Sequence, residues 1–136
     1  MTAVFVDTMG WFSLLDTMDE WHADAKALMQ TLKQSRTPLM TTDYVIDETA
    51  TLLKIRRAGR AIHGLFTMLE TSLALTLTRI DAERFQASQD YYVKHLDHDY
   101  SFTDVTSFIV MCELQITDAF THDDHFTEAG FVRMLA

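Results

Sequence analysis

The sequence has 136 residues, of which 48% are hydrophobic and 23% are charged, with only four glycines and one proline. This composition predicts one globular domain spanning residues 1–136 and excludes a disordered, collagen-like or low-complexity chain. The formal net charge of −9 excludes a broadly basic surface, so any contact with a nucleic acid must be local.

The single cysteine, Cys112, excludes an internal disulfide and a cysteine-rich zinc site, and it favours a reducing, cytoplasmic compartment. Its place in the apolar run Phe-Ile-Val-Met-Cys predicts a packed side chain. No stretch approaches the ~18 consecutive apolar residues of a membrane-spanning helix. We therefore expect neither a signal peptide nor a membrane anchor.

The first half of the chain alternates the patterns of buried strands and amphipathic helices. Short continuous apolar runs predict strands, and apolar residues spaced three and four apart predict helices. In chain order, the predicted elements are a strand over 3–6, a helix from about 20 that ends before Pro38, a strand over 39–41, and a helix from Thr42 or Asp43 to about 57. Gly59 is expected as the C-terminal glycine of that last helix.

The second half continues the same alternation. The predicted elements are a helix around 62–69, a strand over 73–78, a helix over 81–96, a helix from 101 through 116, a strand over 119–121, a helical turn at 126 and a strand at 131–132. Ser101 and Asp104 form a capping box of the S-x-x-D type at the start of the most apolar helix. Strands separated by helices predict an α/β fold with a parallel sheet.

Four carboxylates stand where this fold would bring them together. Ligands of an open parallel sheet bind beyond the carboxyl ends of its strands, where Asp7 ends the first strand and Asp123 follows the fourth. Asp104 opens a helix that is apolar nearly all round, so it enters the interior. Glu48 shares a helical stripe with apolar residues, which draws it toward the interior, whereas its neighbour Asp47 is expected to face solvent.

Each of these acids also has a purely structural explanation. An aspartate after a strand starts a turn about as often as it serves a site, and Asp104 can simply complete its capping box. Their expected convergence is the stronger argument, because several carboxylates within a few ångströms repel one another unless protons or a hard divalent cation intervene. Oxygen-only ligands favour Mg²⁺ or Mn²⁺, which can activate a water molecule for phosphodiester hydrolysis.

Taken together, these segments resemble the PIN-domain ribonucleases, and most of all the VapC toxins of bacterial and archaeal toxin–antitoxin pairs. The resemblance extends over essentially the whole chain. It rests on four blocks, Val4-Phe-Val-Asp7-Thr8, Asp43-Tyr-Val-Ile-Asp-Glu48-Thr, Ser101-Phe-Thr-Asp104 and Ala119-Phe-Thr-His-Asp123-Asp-His-Phe126. Each block is weak alone, but the four in this order are fairly specific.

The resemblance implies a PIN-like three-layer α/β/α fold with a central parallel sheet of four to five short strands. The residues that correspond to the family's catalytic, metal-binding acids are Asp7, Glu48, Asp104 and Asp123, with Thr8 and Ser101 as accessory polar groups. The resemblance also implies Mg²⁺- or Mn²⁺-dependent endonucleolytic cleavage of RNA, a homodimer, and inhibition by a small antitoxin whose C-terminal segment covers the site. Asp124 stands where relatives often carry a basic or variable residue, so no role is assigned to it.

Basic residues concentrate in one place, since four of the eleven lysines and arginines lie within residues 54–60. Among them, Arg56, Arg57 and Arg60 are candidates for contacts with RNA phosphates. Cations near the end of a helix also complement its dipole, and the two explanations carry equal weight.

The histidine pairs 95/98 and 122/125 have a spacing seen in zinc sites, but neither has a third ligand beside it, so zinc is not expected.

Three other functions compete with the nuclease. A phospho-acceptor signalling domain expects paired acids after its first strand and a late lysine, whereas this chain has a lone Asp7 and no lysine after Lys94. A haloacid-dehalogenase-like phosphatase expects Asp-x-Asp in the first block, which this sequence lacks. A PIN-like module that binds RNA or protein without cleaving is the remaining alternative, against which the four intact acids argue.

The sequence leaves open the RNA substrate, the number of metal ions, and whether the nuclease is a toxin or a housekeeping enzyme.

Overall fold

The computed structural model describes residues 2–136, which form five strands and seven helices. The strands are β1 (Val4–Val6), β2 (Leu39–Thr42), β3 (Leu75–Thr78), β4 (Asp118–Phe120) and β5 (Val132–Arg133). The helices are α1 (Thr8–Leu15), α2 (His22–Gln34), α3 (Asp43–Ile55), α4 (Ala61–Thr71), α5 (Ala82–Lys94), α6 (Phe102–Glu113) and α7 (Asp124–Glu128). The strands form one parallel sheet in the order β3-β2-β1-β4-β5, so the predicted α/β fold is confirmed.

The centre of the sheet is β1, which pairs with β2 on one side and β4 on the other. All three residues of β1 are buried, which explains why its sequence is a continuous apolar run rather than an alternating one. The chain moves outward from β1 to β2 and β3, then returns to β4 and β5. The strand order therefore reverses between β1 and β4, and in sheets of this kind a crevice opens beyond the carboxyl ends of such a strand pair.

The core around β1 combines large apolar side chains with paired polar groups. Trp11 is fully buried, and its indole N–H donates a hydrogen bond to Thr41 Oγ1 over 3.2 Å. The Thr41 hydroxyl in turn donates to the carbonyl oxygen of Val6 over 2.9 Å. These bonds satisfy the buried polar atoms and tie α1 to the central strands.

Helix α1 is an element that the sequence pattern did not predict. It follows β1 directly, and the Asp7 carboxylate caps it by accepting a hydrogen bond from the Met9 N–H over 3.4 Å. Gly10, in the first half of α1, lies against the end of β4, where an added Cβ would stand 2.0 Å from the carbonyl oxygen of Phe120. Only glycine therefore allows α1 to pack this close to the strand.

Three helices end at residues with left-handed backbone although none of these residues is glycine. They are Arg36 (φ 55) after α2, Arg57 (φ 59) after α3 and Gln115 (φ 57) after α6. The prediction that Gly59 ends α3 is therefore wrong, because the helix stops at Ile55 and Arg57 makes the turn. Helix α6 likewise stops at Glu113 and does not reach residue 116.

Cys112 is exposed, so the prediction of a packed side chain is also wrong. The residue lies near the end of α6, where the neighbouring Met111 takes the buried position. Among residues 2–136, no helix combines the length and apolarity that crossing a bilayer requires.

Candidate active site

Asp7 and Asp123 meet at the carboxyl ends of β1 and β4, the strand pair at which the sheet order reverses. Asp7 is only 1% exposed, and its Oδ2 accepts a hydrogen bond from the Thr121 hydroxyl over 2.9 Å. The same hydroxyl oxygen accepts from the Asp123 N–H over 3.1 Å, and Asp123 caps α7 by accepting from the His125 N–H over 2.9 Å. Thr121 therefore links the two predicted acids, a role that the sequence pattern did not indicate.

Asp104 enters the same crevice from the start of α6 and is 5% exposed. The predicted capping box is confirmed: Ser101 Oγ accepts from the Asp104 N–H over 3.0 Å, and Asp104 Oδ2 accepts from the Ser101 N–H over 3.1 Å. Phe108 and Met111, one and two turns further along α6, are buried in the core. The cap and this packing together hold the carboxylate in place.

His125 joins Asp104 to Asp123, although the sequence pattern presented this histidine only as half of a zinc pair. Its Nδ1 lies 2.9 Å from Asp104 Oδ2 and 3.3 Å from Asp123 Oδ1. One ligand atom from each of these three residues lies within 4.8 Å of the others. The signal available in the sequence was the position of His125 two residues after Asp123, at the start of a short helix.

The electrostatics of the crevice follow from burial and mutual repulsion. Burial, with the negative charge of Asp104 adding to it, raises the pKa of Asp7 from 3.8 to about 8. Burial also raises the pKa of Asp104, although the hydrogen bond from the Ser101 backbone opposes this. Burial lowers the pKa of His125, but the charges of Asp123 and Asp104 outweigh it, so its pKa lies above the ordinary value.

Two buried oxygens in this region, Asp7 Oδ1 and Thr8 Oγ1, have no hydrogen-bond partner within residues 2–136. A buried carboxylate oxygen without a donor is costly, and neighbouring acids increase that cost. The donor set at this end of the sheet, mainly carboxylate oxygens, fits a hard divalent cation, which would supply the positive charge that these groups lack.

Glu48 lies apart from this tight group. It is half-buried on α3 and lines a surface cleft together with Thr103, the residue before Asp104. Ile55, on the same helical stripe, is 69% exposed, so that stripe faces the cleft and not the core as expected. Asp47 is exposed, as predicted.

Asp124, the acid without an assigned role, is exposed, forms an ion pair with Arg133 and is not part of the group of ligand atoms formed by Asp104, Asp123 and His125.

Arg56, Arg57 and Arg60, hereafter the arginine cluster, are exposed where α3 ends and α4 begins. They line a cleft of about 620 Å³ together with residues 15–18, at the end of α1 and directly after it. The Arg56 guanidinium lies 5.7 Å from the centre of the Phe12 ring, within the range of a cation–π contact. The cluster thus provides positive charge on a protein that is acidic elsewhere.

Comparison with known proteins identifies the family. The chain is 34% identical over 132 residues to VapC20 of Mycobacterium tuberculosis, named a 23S rRNA-specific endonuclease, in both strain CDC 1551 / Oshkosh and strain H37Rv. The match covers 96% of this chain and 97% of the relative. The crystal structure of M. tuberculosis VapC20, described as a sarcin-ricin loop cleaving toxin, superimposes with a TM-score of 0.86 at 32% identity over 98% of this chain and 100% of that one.

No protein-family model matches the chain. An endonuclease relative that matches nearly end to end favours the nuclease over the phospho-acceptor and phosphatase alternatives. The chain belongs to the VapC family of PIN-domain endoribonuclease toxins.

Proposed function

We propose that this toxin cleaves the sarcin-ricin loop of 23S rRNA in a reaction that depends on Mg²⁺ or Mn²⁺. The proposal for the substrate rests on the VapC20 relatives, which match this chain over nearly its full length. The observation that carries the metal dependence is Asp7, a buried carboxylate with one oxygen unpartnered and with Asp104 and Asp123 as charged neighbours. Such an arrangement favours a bound cation, since the hydrogen-bond donors to Asp7 within residues 2–136, the Thr121 hydroxyl and the Met9 N–H, are uncharged.

Asp7, Asp104 and Asp123 would hold the metal, with Glu48 at the rim of the site. When bound, Mg²⁺ or Mn²⁺ supplies a Lewis acid that makes water a better nucleophile and offsets charge on the leaving oxygen. The chain's own polar groups orient the acids: Thr121 fixes Asp7, and the Ser101 cap fixes Asp104. Thr8 stands directly after Asp7, and its buried hydroxyl is a second polar group available at the site.

The arginine cluster would bind phosphates of the RNA outside the acidic crevice. An acidic crevice repels a polyanion, so an RNA needs positive charge elsewhere on the surface to approach it. The exposed side chains of Arg56, Arg57 and Arg60 suit this role, because phosphate contacts position an RNA without requiring a rigid pocket.

The proposed partners follow from the family. A small antitoxin would cover the site with its C-terminal segment, and the toxin would form a homodimer. Because ribosomal RNA is a cytoplasmic substrate, the proposed site of action is the cytoplasm. Light scattering of the purified chain, alone and with a co-expressed antitoxin, tests both assemblies.

The decisive experiment uses a hairpin RNA with the sarcin-ricin loop sequence and a second hairpin with a scrambled loop. We expect one cut in the first RNA, none in the second, and loss of cleavage with EDTA that Mn²⁺ restores. Asp104→Asn should reduce the rate at least ~10²-fold, because it removes charge at the reacting centre. Asp124→Asn, a matched change in an exposed neighbouring acid, should cleave like the wild type. Cleavage that survives both EDTA and Asp104→Asn contradicts the metal site, and equal cleavage of both hairpins contradicts the substrate.

A further inference from the structure

We propose that His125 is itself a metal ligand, through Nδ1, and that this nitrogen makes the site prefer Mn²⁺ over Mg²⁺. The inference rests on the proposed function and deepens it. It concerns a residue outside the set of acids carried over from the family resemblance. Its starting point is the position of Nδ1 between two carboxylates, 2.9 Å from one and 3.3 Å from the other.

These separations suit neighbouring ligands of a single ion. Ligands at right angles on an octahedral ion, with bonds of about 2.1 Å, stand about 3 Å apart. The group formed by Asp104, Asp123 and His125 has its three ligand atoms within 4.8 Å of one another. A second, independent observation points to a ligand beside this group: Asp7, which is 1% exposed and is joined to Asp123 through the Thr121 hydroxyl, has a buried Oδ1 with no hydrogen-bond partner within residues 2–136.

The competing role for His125 is that of a hydrogen-bond donor that only holds the two carboxylates. Both oxygens that it approaches already have a donor. Asp104 Oδ2 accepts from the Ser101 N–H, and Asp123 Oδ1 accepts from the backbone N–H of His125 itself. Each oxygen would therefore keep one donor when the Nδ1 lone pair turns to a bound ion, so coordination by His125 leaves neither carboxylate oxygen without a hydrogen bond.

The ring of His125 is also held in one orientation. Tyr100, which is buried, packs its ring edge-on against it, with centroids 5.6 Å apart and an interplanar angle of 87°. A ring fixed between two carboxylates loses little freedom when it binds an ion. Imidazole suits transition ions, whereas Mg²⁺ binds through oxygen ligands, so the mixed oxygen and nitrogen set discriminates against Mg²⁺.

The test measures metal binding directly, without RNA. The dissociation constants of Mn²⁺ and Mg²⁺ are measured for the wild type, for His125→Asn, and for His122→Asn as a matched control. His122 lies three residues earlier and stacks on Trp21 with ring centroids 5.0 Å apart, outside the group of ligand atoms. We expect His125→Asn to weaken Mn²⁺ binding about tenfold and Mg²⁺ binding less than about threefold, and the control to match the wild type.

Electron spin echo spectroscopy of bound Mn²⁺ provides a second readout, because a coordinated imidazole adds nitrogen modulation to the signal. We expect this modulation in the wild type and in His122→Asn, and its loss in His125→Asn. If His125→Asn does not fold, modulation that persists in His122→Asn still assigns the nitrogen to His125, the histidine in the group of ligand atoms.

A wild type without nitrogen modulation, or an unchanged ratio of the two dissociation constants in His125→Asn, overturns the inference. Cleavage that EDTA stops would then leave the proposed function intact. Absence of Mn²⁺ binding together with EDTA-resistant cleavage overturns both.

Discussion

The acidic crevice and the arginine cluster carry opposite charges and are built in opposite ways. Asp7 and Asp104 are buried and accept hydrogen bonds from the Thr121 hydroxyl and the Ser101 N–H, whereas the three arginines are exposed around an open cleft. Burial makes a charge costly, so the crevice accumulates repulsion that protons or a metal ion can relieve. Exposed charges are screened by water and salt. The crevice should therefore respond to pH and metal, and the cluster to ionic strength.

The largest expected effect is on the pH dependence of stability in EDTA. The pKa of Asp7 is about 8 in the folded chain against 3.8 in the unfolded chain, so folding retains a proton that the unfolded chain releases. Stability therefore falls as pH rises from about 4 to about 8, by at most about 4 kcal/mol from Asp7 at pH 7. Asp7→Asn removes this titration while keeping the shape of the side chain.

Urea unfolding of the wild type and Asp7→Asn at pH 5 and pH 7.5 measures the effect. We expect the wild type to lose more stability than the variant between the two pH values, and the variant to be at least as stable at pH 7.5. The raised pKa values of Asp104 and His125 act in the same direction, so some slope should persist in the variant. Parallel curves for the two proteins would mean that Asp7 titrates normally and is a structural turn residue.

The second prediction concerns metal. An ion that binds only the folded chain stabilises it by about 2.7 kcal/mol at a hundredfold excess over Kd. Thermal melts at neutral pH, with EDTA and with millimolar Mn²⁺, should therefore show a higher Tm for the metal-loaded wild type and a much smaller shift for Asp7→Asn. The wild-type shift should shrink at pH 5, because protons compete for the carboxylates. An equal shift in both proteins would place the ion elsewhere.

The arginine cluster is tested by replacing Arg56, Arg57 and Arg60 with glutamine in an Asp104→Asn background that leaves the RNA intact. Each phosphate that the variant no longer binds should reduce the slope of log K against log salt by about 0.7–0.9. Affinity at low salt should fall at least about tenfold. The matched control replaces Lys26, Lys33 and Arg36, three exposed cations of α2 and its end. Equal slopes in the two triple variants would mean that the arginine cluster does not bind RNA phosphates and only complements the helix dipole.

The next prediction tests whether Glu48, at the rim of the acidic crevice, contributes to metal binding. We expect Glu48→Gln to weaken Mn²⁺ binding about tenfold, a loss typical of groups that support a metal site. Asp47→Asn, a change of the exposed acid beside it, should leave Mn²⁺ binding unchanged. Calorimetric titration measures both. Identical binding by the two variants would confine the site to Asp7, Asp104, Asp123 and His125.

The smallest expected effect is on the stability of the chain and concerns Arg57, the residue of the arginine cluster with a left-handed backbone. Arg57→Gly should stabilise the chain by about 0.5–1 kcal/mol, because glycine adopts φ near 59 without the cost that a Cβ imposes. The same change should weaken RNA binding. Gln115→Gly, at an equivalent helix end, should stabilise similarly without affecting RNA. Loss of stability in both variants would contradict the strain argument.

Most strands and helices could be predicted from local patterns, but α1 could not. The strands were visible because buried parallel strands are continuous apolar runs. Helix α1 is buried on most of its surface, with Gly10, Trp11 and Phe12 among its buried residues, so it lacks the polar face that reveals a helix in a sequence. The end of α3 could not be predicted from the position of a glycine, because Arg57 takes the left-handed position where glycine is usual.

The acids of the site could be predicted in part, because the ends of strands and a capping box are local features. The structure brings Asp7, Asp104 and Asp123 together as expected, but Glu48 lies outside the tight group of ligand atoms, in a cleft that it shares with Thr103. The roles of His125 and Thr121 could not be predicted from the sequence, because their contacts join residues from different elements. Thr121, for example, bonds to a side chain 114 positions away in the sequence.

The fit of Gly10 against Phe120 has a consequence for genetics. Asp7 caps the helix that contains Gly10, and Thr121, the partner of Asp7, follows Phe120 directly. Any larger side chain at position 10 would push α1 away from the end of β4 and separate that pair, although every carboxylate would still be present. Colonies that survive forced expression of this toxin should therefore carry substitutions at codon 10 as well as at the acidic codons.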